Sequence, residues 1–264
     1  MIILITGVSS GFGRAMAQRL SAEGHTVYGT CRRSVEPIPG VTYITAEVTN
    51  PEDCRNAVQK VTGEQGRLDV FINNAGMGIG GPLEFSTLEQ ARRQMDVNWM
   101  GMVNFLHYVI PAMRSQKSGK IICISSIGGL IGLPFQGLYS ASKFAIEGYC
   151  EALRHEVKQH GITVTIVEPG DFSTSFTASR SSVEDPAAFE AYPSYKRSLE
   201  SIEKDETTGL KPEVLAAKIS KIVRSRNPRH RCIVSTLEQR LSVVLKKILP
   251  DRLFARIIAS YYKL

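Results

Sequence analysis

The first two thirds of the chain alternate short apolar runs with longer segments whose apolar residues recur every three or four positions. The runs IILIT (2–6), TVYGTC (26–31), TYITA (42–46), DVFIN (69–73), KIICIS (120–125) and TVTIVE (163–168) are β-branched and nearly continuous in apolar character. That is the pattern of strands buried on both faces. Helical spacing predicts helices over 12–23, 51–65, 88–97, 99–115, 136–160 and 212–226. Strands alternating with helices imply right-handed β-α-β crossovers. They predict an α/β fold, a three-layer α/β/α Rossmann arrangement around a doubly wound parallel sheet. Residues 1–264 are expected to form one such domain with a C-terminal helical extension.

Two stretches depart from the rhythm. The interval 171–210 is polar, with scattered aromatics (Phe172, Phe176, Phe189, Tyr192, Tyr195). An irregular insertion after the carboxyl end of a strand lies where a doubly wound fold places its ligand crevice, so a substrate lid is expected there. The segment 236–264 reads as two basic amphipathic helices. Leu237, Leu241, Val244, Leu245 and Ile248 would form one apolar face, and Leu253, Phe254, Ile257, Ile258 and Tyr261 another. Such a face packs on its own domain or a partner subunit more often than on an anionic membrane, and packing is the expectation here.

Charge sharpens that contrast. The net charge is +7. Residues 1–210 carry 19 Lys+Arg against 22 Asp+Glu, whereas residues 211–264 carry 13 against 3. The basic character is therefore local, which argues against a nucleic-acid groove spread across the fold. The five cysteines are scattered, with no C-x-x-C, and the five histidines show no metal spacing, so neither a disulfide framework nor a metal site is expected. No apolar run is long enough to cross a bilayer, and MIILITG opens directly into a strand. A cytoplasmic protein with reduced thiols is expected.

The first strand runs into TGVSSGFG (6–13) and then a helix. That is the context in which Gly7, Gly11 and Gly13 allow a tight turn, with pyrophosphate at the helix N-terminus. The second strand ends in Arg32 and Arg33 with no acid to hold a ribose 2′-hydroxyl. NADP(H) is therefore favoured over NAD(H), with Arg32 on the 2′-phosphate and Ser9 or Ser10 assisting.

Two tyrosine–lysine pairs have four-residue spacing: Tyr139/Lys143 in YSASK and Tyr192/Lys196 in YPSYK. Each has a serine thirteen residues upstream, Ser126 and Ser179. Only the first set has a scaffold. Tyr139 opens a helical run and Ser126 ends an apolar strand, whereas Pro193 leaves Tyr192 outside any helix and no strand precedes Ser179. A phenol with pKa ~10 becomes a usable acid–base group when an ammonium lies one turn away. Ser126 could hold a substrate oxygen while hydride passes between nicotinamide and carbonyl carbon.

The motifs TGVSSGFG, NNAG (73–76), DVN (96–98), ISS (124–126), YSASK and PGDFST (169–174) together resemble the short-chain dehydrogenase/reductase family over about residues 1–175. The resemblance implies a catalytic Asn98–Ser126–Tyr139–Lys143 tetrad, with Asn98 supporting a proton relay and Lys143 also holding the nicotinamide ribose. Gly7, Ser9, Ser10, Gly11, Phe12 and Gly13 would cradle the pyrophosphate. Asn74, Ala75 and Gly76 would line the adenosine side with Val48, and Pro169, Gly170, Phe172 and Thr174 would bracket the nicotinamide. Glu47 stands where the family usually has aspartate, which weakens that contact. Within the family, NAGMGIGGPLE and YSASKFAIEGYCEAL look most like the 17β-hydroxysteroid and retinol dehydrogenases, implying a lipophilic alcohol or carbonyl substrate and a homodimer or homotetramer. Two alternatives remain at this stage: reduction of 3-oxoacyl carrier-protein thioesters by the same residues, and a non-catalytic NADP(H) sensor.

Overall fold

The computed structural model describes residues 1–33 and 35–264. Seven strands form one parallel sheet: β1 (Ile2–Thr6), β2 (Thr26–Cys31), β3 (Val41–Thr45), β4 (Val70–Asn73), β6 (Gly119–Ile124), β7 (Ile162–Pro169) and β9 (Arg231–Val234). Their order is β3-β2-β1-β4-β6-β7-β9. A two-residue ladder, β5 (Ile79–Gly80) with β8 (Ser181–Ser182), stands apart. Side chains alternate along each central strand, and both faces are dry. Leu4, Phe71 and Ile121 point into one core, while Ile3, Ile5, Ile72 and Ile122 point into the other.

Helices α2 (Pro51–Gln65), α4 (Gly101–Gln116) and α5 (Gly137–Val157) cover the first face. Helices α1 (Gly11–Ala22) and α9 (Pro212–Arg224) cover the second. Local signals set their ends. Asn50 caps α2 by accepting from the Glu52 N–H, Pro51 opens the helix, and Gly66 closes it in the left-handed conformation. Helix α3 (Leu88–Met95) begins with a Thr87/Gln90 capping box.

Strands are added outward from β1 in one direction and from β4 in the other, so the crevice opens at the carboxyl ends of this parallel pair. Two expectations need correction. The 171–210 interval is not irregular: it holds α6 (Phe176–Ser179), α7 (Pro186–Ala191) and α8 (Ser194–Thr208). Segments 88–97 and 99–115 are not separate helices either, because a π-helical turn at Asp96–Met100 joins α3 to α4.

The chain ends in α10 (Leu237–Ile248) and α11 (Asp251–Tyr261), which pack on the Ile127–Leu133 segment through Val243, Phe254 and Leu245. Of the apolar face expected of α10, Leu245 packs but the rest does not. Val243 is buried, whereas Leu237, Leu241, Val244 and Ile248 face solvent. No described helix is long and apolar enough to cross a membrane. All five cysteines are free and buried.

Candidate active site

One cavity of about 810 Å³ runs along the carboxyl edge of the sheet. At one end lie the glycine loop, Arg32, Glu47, Val48 and Asn74–Gly76; in the middle, Ser126, Tyr139, Lys143, Pro169, Gly170, Phe172 and Thr174; at the far end, Leu245, Ile258 and Tyr262 of the tail. The predicted site residues are thus gathered around one space, except Asn98, which sits behind it, and Gly13, which packs under the loop.

Lys143 Nζ donates to the Ile124 carbonyl at 2.9 Å, which fixes its side chain beneath Tyr139, 5.6 Å from the ring centroid. Burial pushes the ammonium down to about 8, and Glu147, one turn further along α5, pulls it back up. Burial pushes the Tyr139 phenol up to about 12, while a hydrogen bond from Ser126 draws it down. Ser126 itself accepts from the Gly128 N–H at 3.0 Å, which orients its hydroxyl. Phe176 of α6 closes the other side of Tyr139, with ring centroids 5.6 Å apart.

Asn98 is buried, and its side chain is fully committed. Oδ1 accepts from the Met77 N–H at 2.8 Å, while Nδ2 donates to the Met77 carbonyl at 3.0 Å and Ser142 Oγ at 2.9 Å. A share in proton relay would therefore fall to its main-chain carbonyl. The π turn places this residue, and single π turns often mark functional sites.

The loop end fits a dinucleotide. Gly7 has φ +73°, and a Cβ on Gly13 would collide with the Gly7 carbonyl oxygen. Ser10 caps α1 without using its side chain, and the first turn holds no acid. The free N–H groups and positive dipole end there are left for phosphate. Asn74 Nδ2 staples the loop through Thr6 O (2.9 Å) and Gly7 O (3.0 Å). Arg32 Nη1 lies 3.7 Å from Glu47 Oε2, so the acid expected near adenine is turned toward the arginine instead.

Sequence reasoning missed Thr6, whose buried hydroxyl accepts from the Asn74 and Ala75 N–H groups. It also missed Glu147, Glu168 and Arg231, an ion cluster behind Lys143. The second tyrosine set lies at the surface. Tyr192 donates to Glu84, Lys196 is exposed, and Ser179 bonds its own helix.

The family model for short chain dehydrogenases matches residues 1–185. The chain belongs to the short-chain dehydrogenase family. Over 262 residues it is 50% identical to the 3-ketodihydrosphingosine reductase of Bacteroides thetaiotaomicron, covering 99% of this chain and 97% of that one. It is 30% identical to the NADPH-dependent 3-dehydrocapnine reductase of Ornithobacterium rhinotracheale (98% and 95% covered). It is 32% identical to retinol dehydrogenase 8 of Bos taurus (86% and 78%). Among solved structures, a short-chain dehydrogenase from Streptomyces avermitilis superimposes with a TM-score of 0.79 at 30% identity over 97% of each chain. The chain is therefore an oxidoreductase of this family with a Rossmann fold, and the resemblance to retinol-type dehydrogenases stands.

Proposed function

We propose that this enzyme reduces the ketone of a long-chain lipid, of the 3-ketodihydrosphingosine kind, at the expense of NADPH. The observation that carries the reading is the similarity to the Bacteroides reductase, because it extends over both substrate-facing parts, the 171–210 lid and the 236–264 tail. The site is compatible with it. From Tyr139 the cavity continues to an apolar wall of Leu245 and Ile258, which suits an alkyl chain. Asp171, Asp205 and Glu206 line the same end, and Arg180 pairs with Glu206, which leaves an excess of acid there that suits a substrate amine.

The nicotinamide would supply hydride to the carbonyl carbon. Ser126 donates to the carbonyl oxygen and holds it beside Tyr139. With its phenol protonated across the neutral range, Tyr139 gives its proton to that oxygen as charge develops. Lys143 stabilises the phenolate left behind. Asn98 acts as a positioning residue through Met77 and Ser142. Arg32 takes the 2′-phosphate by exchanging its loose contact with Glu47 for a charge-assisted bond.

The test is NADPH oxidation with 3-ketodihydrosphingosine, retinal, a ketosteroid and an acetoacetyl thioester, with NADH in parallel. The sphingoid ketone should give the highest kcat/KM, Tyr139→Phe should lose roughly two to four orders of magnitude, and Arg32→Ala should raise the NADPH KM about tenfold while sparing NADH. A faster thioester than sphingoid ketone, or an Arg32→Ala enzyme with unchanged NADPH KM, would refute the corresponding half of the proposal.

A further inference from the structure

The tail helices carry more apolar surface than the domain covers. On α10, Leu237, Leu241, Val244 and Ile248 fall at i, i+4, i+7 and i+11, which is one stripe along the helix. All four are at least half exposed, Leu237 reaching 82%. On α11, Leu253, Ile257, Tyr261 and the following Leu264 repeat the pattern, and all are exposed. Eight of the fourteen large apolar side chains exposed among the described residues lie in these last 28 positions. Scattered surface leucines need no explanation, but two helical-period stripes on consecutive helices do.

Three further observations say what covers them. First, the stripes meet at the cavity: Leu241 belongs to one and Ile257 and Tyr261 to the other, and all three also line the substrate space. The exposed surface is therefore the rim of its mouth. Second, Arg240, Lys246, Lys247, Arg252, Arg256 and Lys263 flank the stripes, against only Glu238 and Asp251 between residues 236 and 264. A second copy of the same face would bring like charge against like charge, whereas an anionic surface complements it. Third, the remainder of the tail is anchored to the fold by Val243, Phe254 and Tyr262, so the stripes are held outward on a fixed support.

We propose that α10 and α11 dock the enzyme on an anionic lipid surface, with the cavity mouth against the acyl chains. A basic amphipathic face of this kind lies in the headgroup plane without spanning the bilayer. The docking follows from the tail alone. That a lipid substrate slides from the bilayer into the cavity rests on the proposed function above.

The experiment uses the full chain and no substrate at first. Co-sedimentation is measured with phosphatidylcholine vesicles and with vesicles containing about one third phosphatidylglycerol. Val244→Glu/Ile248→Glu serves as the variant, because both residues are exposed and neither lines the cavity. Wild type should pellet with the anionic vesicles and be released as salt rises well above physiological strength, and the variant should bind at least about tenfold more weakly. Wild type remaining in the supernatant, or the variant pelleting equally, would overturn the docking. A homodimer that the variant converts to monomer would assign the stripes to a second copy and would also overturn it.

Turnover then separates the two readings. Both proteins should reduce a short water-soluble ketone equally, while the variant should be several-fold slower on a long-chain 3-ketone presented in anionic vesicles. Vesicle binding without any turnover of the long-chain ketone, in vesicles or as monomer, would sink the proposed substrate and leave the docking intact.

Discussion

At the scale of single residues, the site turns on one buried ammonium. Lys143 is drawn down to about 8 by burial and supported by the Glu147 carboxylate four residues on, on the same face of α5. In the proposed reduction, that positive charge is needed when Tyr139 has released its proton. The rate should therefore be level below pH 8 and fall as pH rises through it. Removing the nearby negative charge makes the ammonium easier to deprotonate, so Glu147→Gln should move the falling limb to lower pH while leaving KM for NADPH nearly unchanged. A pH profile of kcat tests this, and an unmoved limb would mean that Glu147 serves packing alone. Tyr139, Lys143 and Ser126 were readable because strand end and helix start are written around them. Glu147 was not, since its partner Arg231, which it shares with Glu168, comes from a distant strand that only the fold brings near.

Helices and strands show where sequence patterns fail. Helix α8 buries Tyr195, Ser198, Ile202 and Glu206, a regular helical stripe in which two of four members are polar, so its period vanishes from a hydrophobic pattern. Ser198 is satisfied by the Tyr262 carbonyl and Glu206 by Arg180. Strand β9 escaped because RCIV is four residues long, follows a basic run and pairs only with β7 at the sheet edge. The π turn left no trace beyond the boundary near Asn98. The Arg180–Glu206 pair, nearly buried, with Nη1 and Nη2 donating at 2.9 and 2.6 Å, ties the segment beside α6 to α8. Arg180→Leu would leave Glu206 buried beside Asp171 and Asp205, at a cost of roughly 3–5 kcal/mol. Limited proteolysis should then cut within residues 171–210 much faster. Arg180→Leu/Glu206→Leu should recover much of the resistance. Equal cutting of the single variant and wild type would show that the pair does not hold this segment in place.

Across the whole molecule, charge is sorted by place. The tail is basic and outward, whereas acids gather inside, at the carboxyl edge of the sheet. Glu168, at the end of β7, is fully buried; it accepts from the Cys232 N–H at 3.0 Å and faces Arg231 at 3.2 Å. Burial, and then the nearby Glu147, push its carboxyl up to about 7 despite those two partners. In the unfolded chain it titrates near the ordinary carboxylate value, ~4.3. A folded-state value above the unfolded one favours the protonated native form. Its stabilisation is therefore complete at pH 4 and is lost as pH climbs through 7. The loss is roughly 3–4 kcal/mol for this group, and carboxylates whose values the fold lowers, such as Glu23, oppose it over the lower part of that window. Glu168→Gln has no proton to release, so it isolates the contribution. Denaturant unfolding at pH 5 and pH 8 should show wild type losing more stability than the variant between the two. If the two proteins change in parallel, Glu168 is already ionised in the fold, and Arg231, rather than protonation, is what makes its burial tolerable.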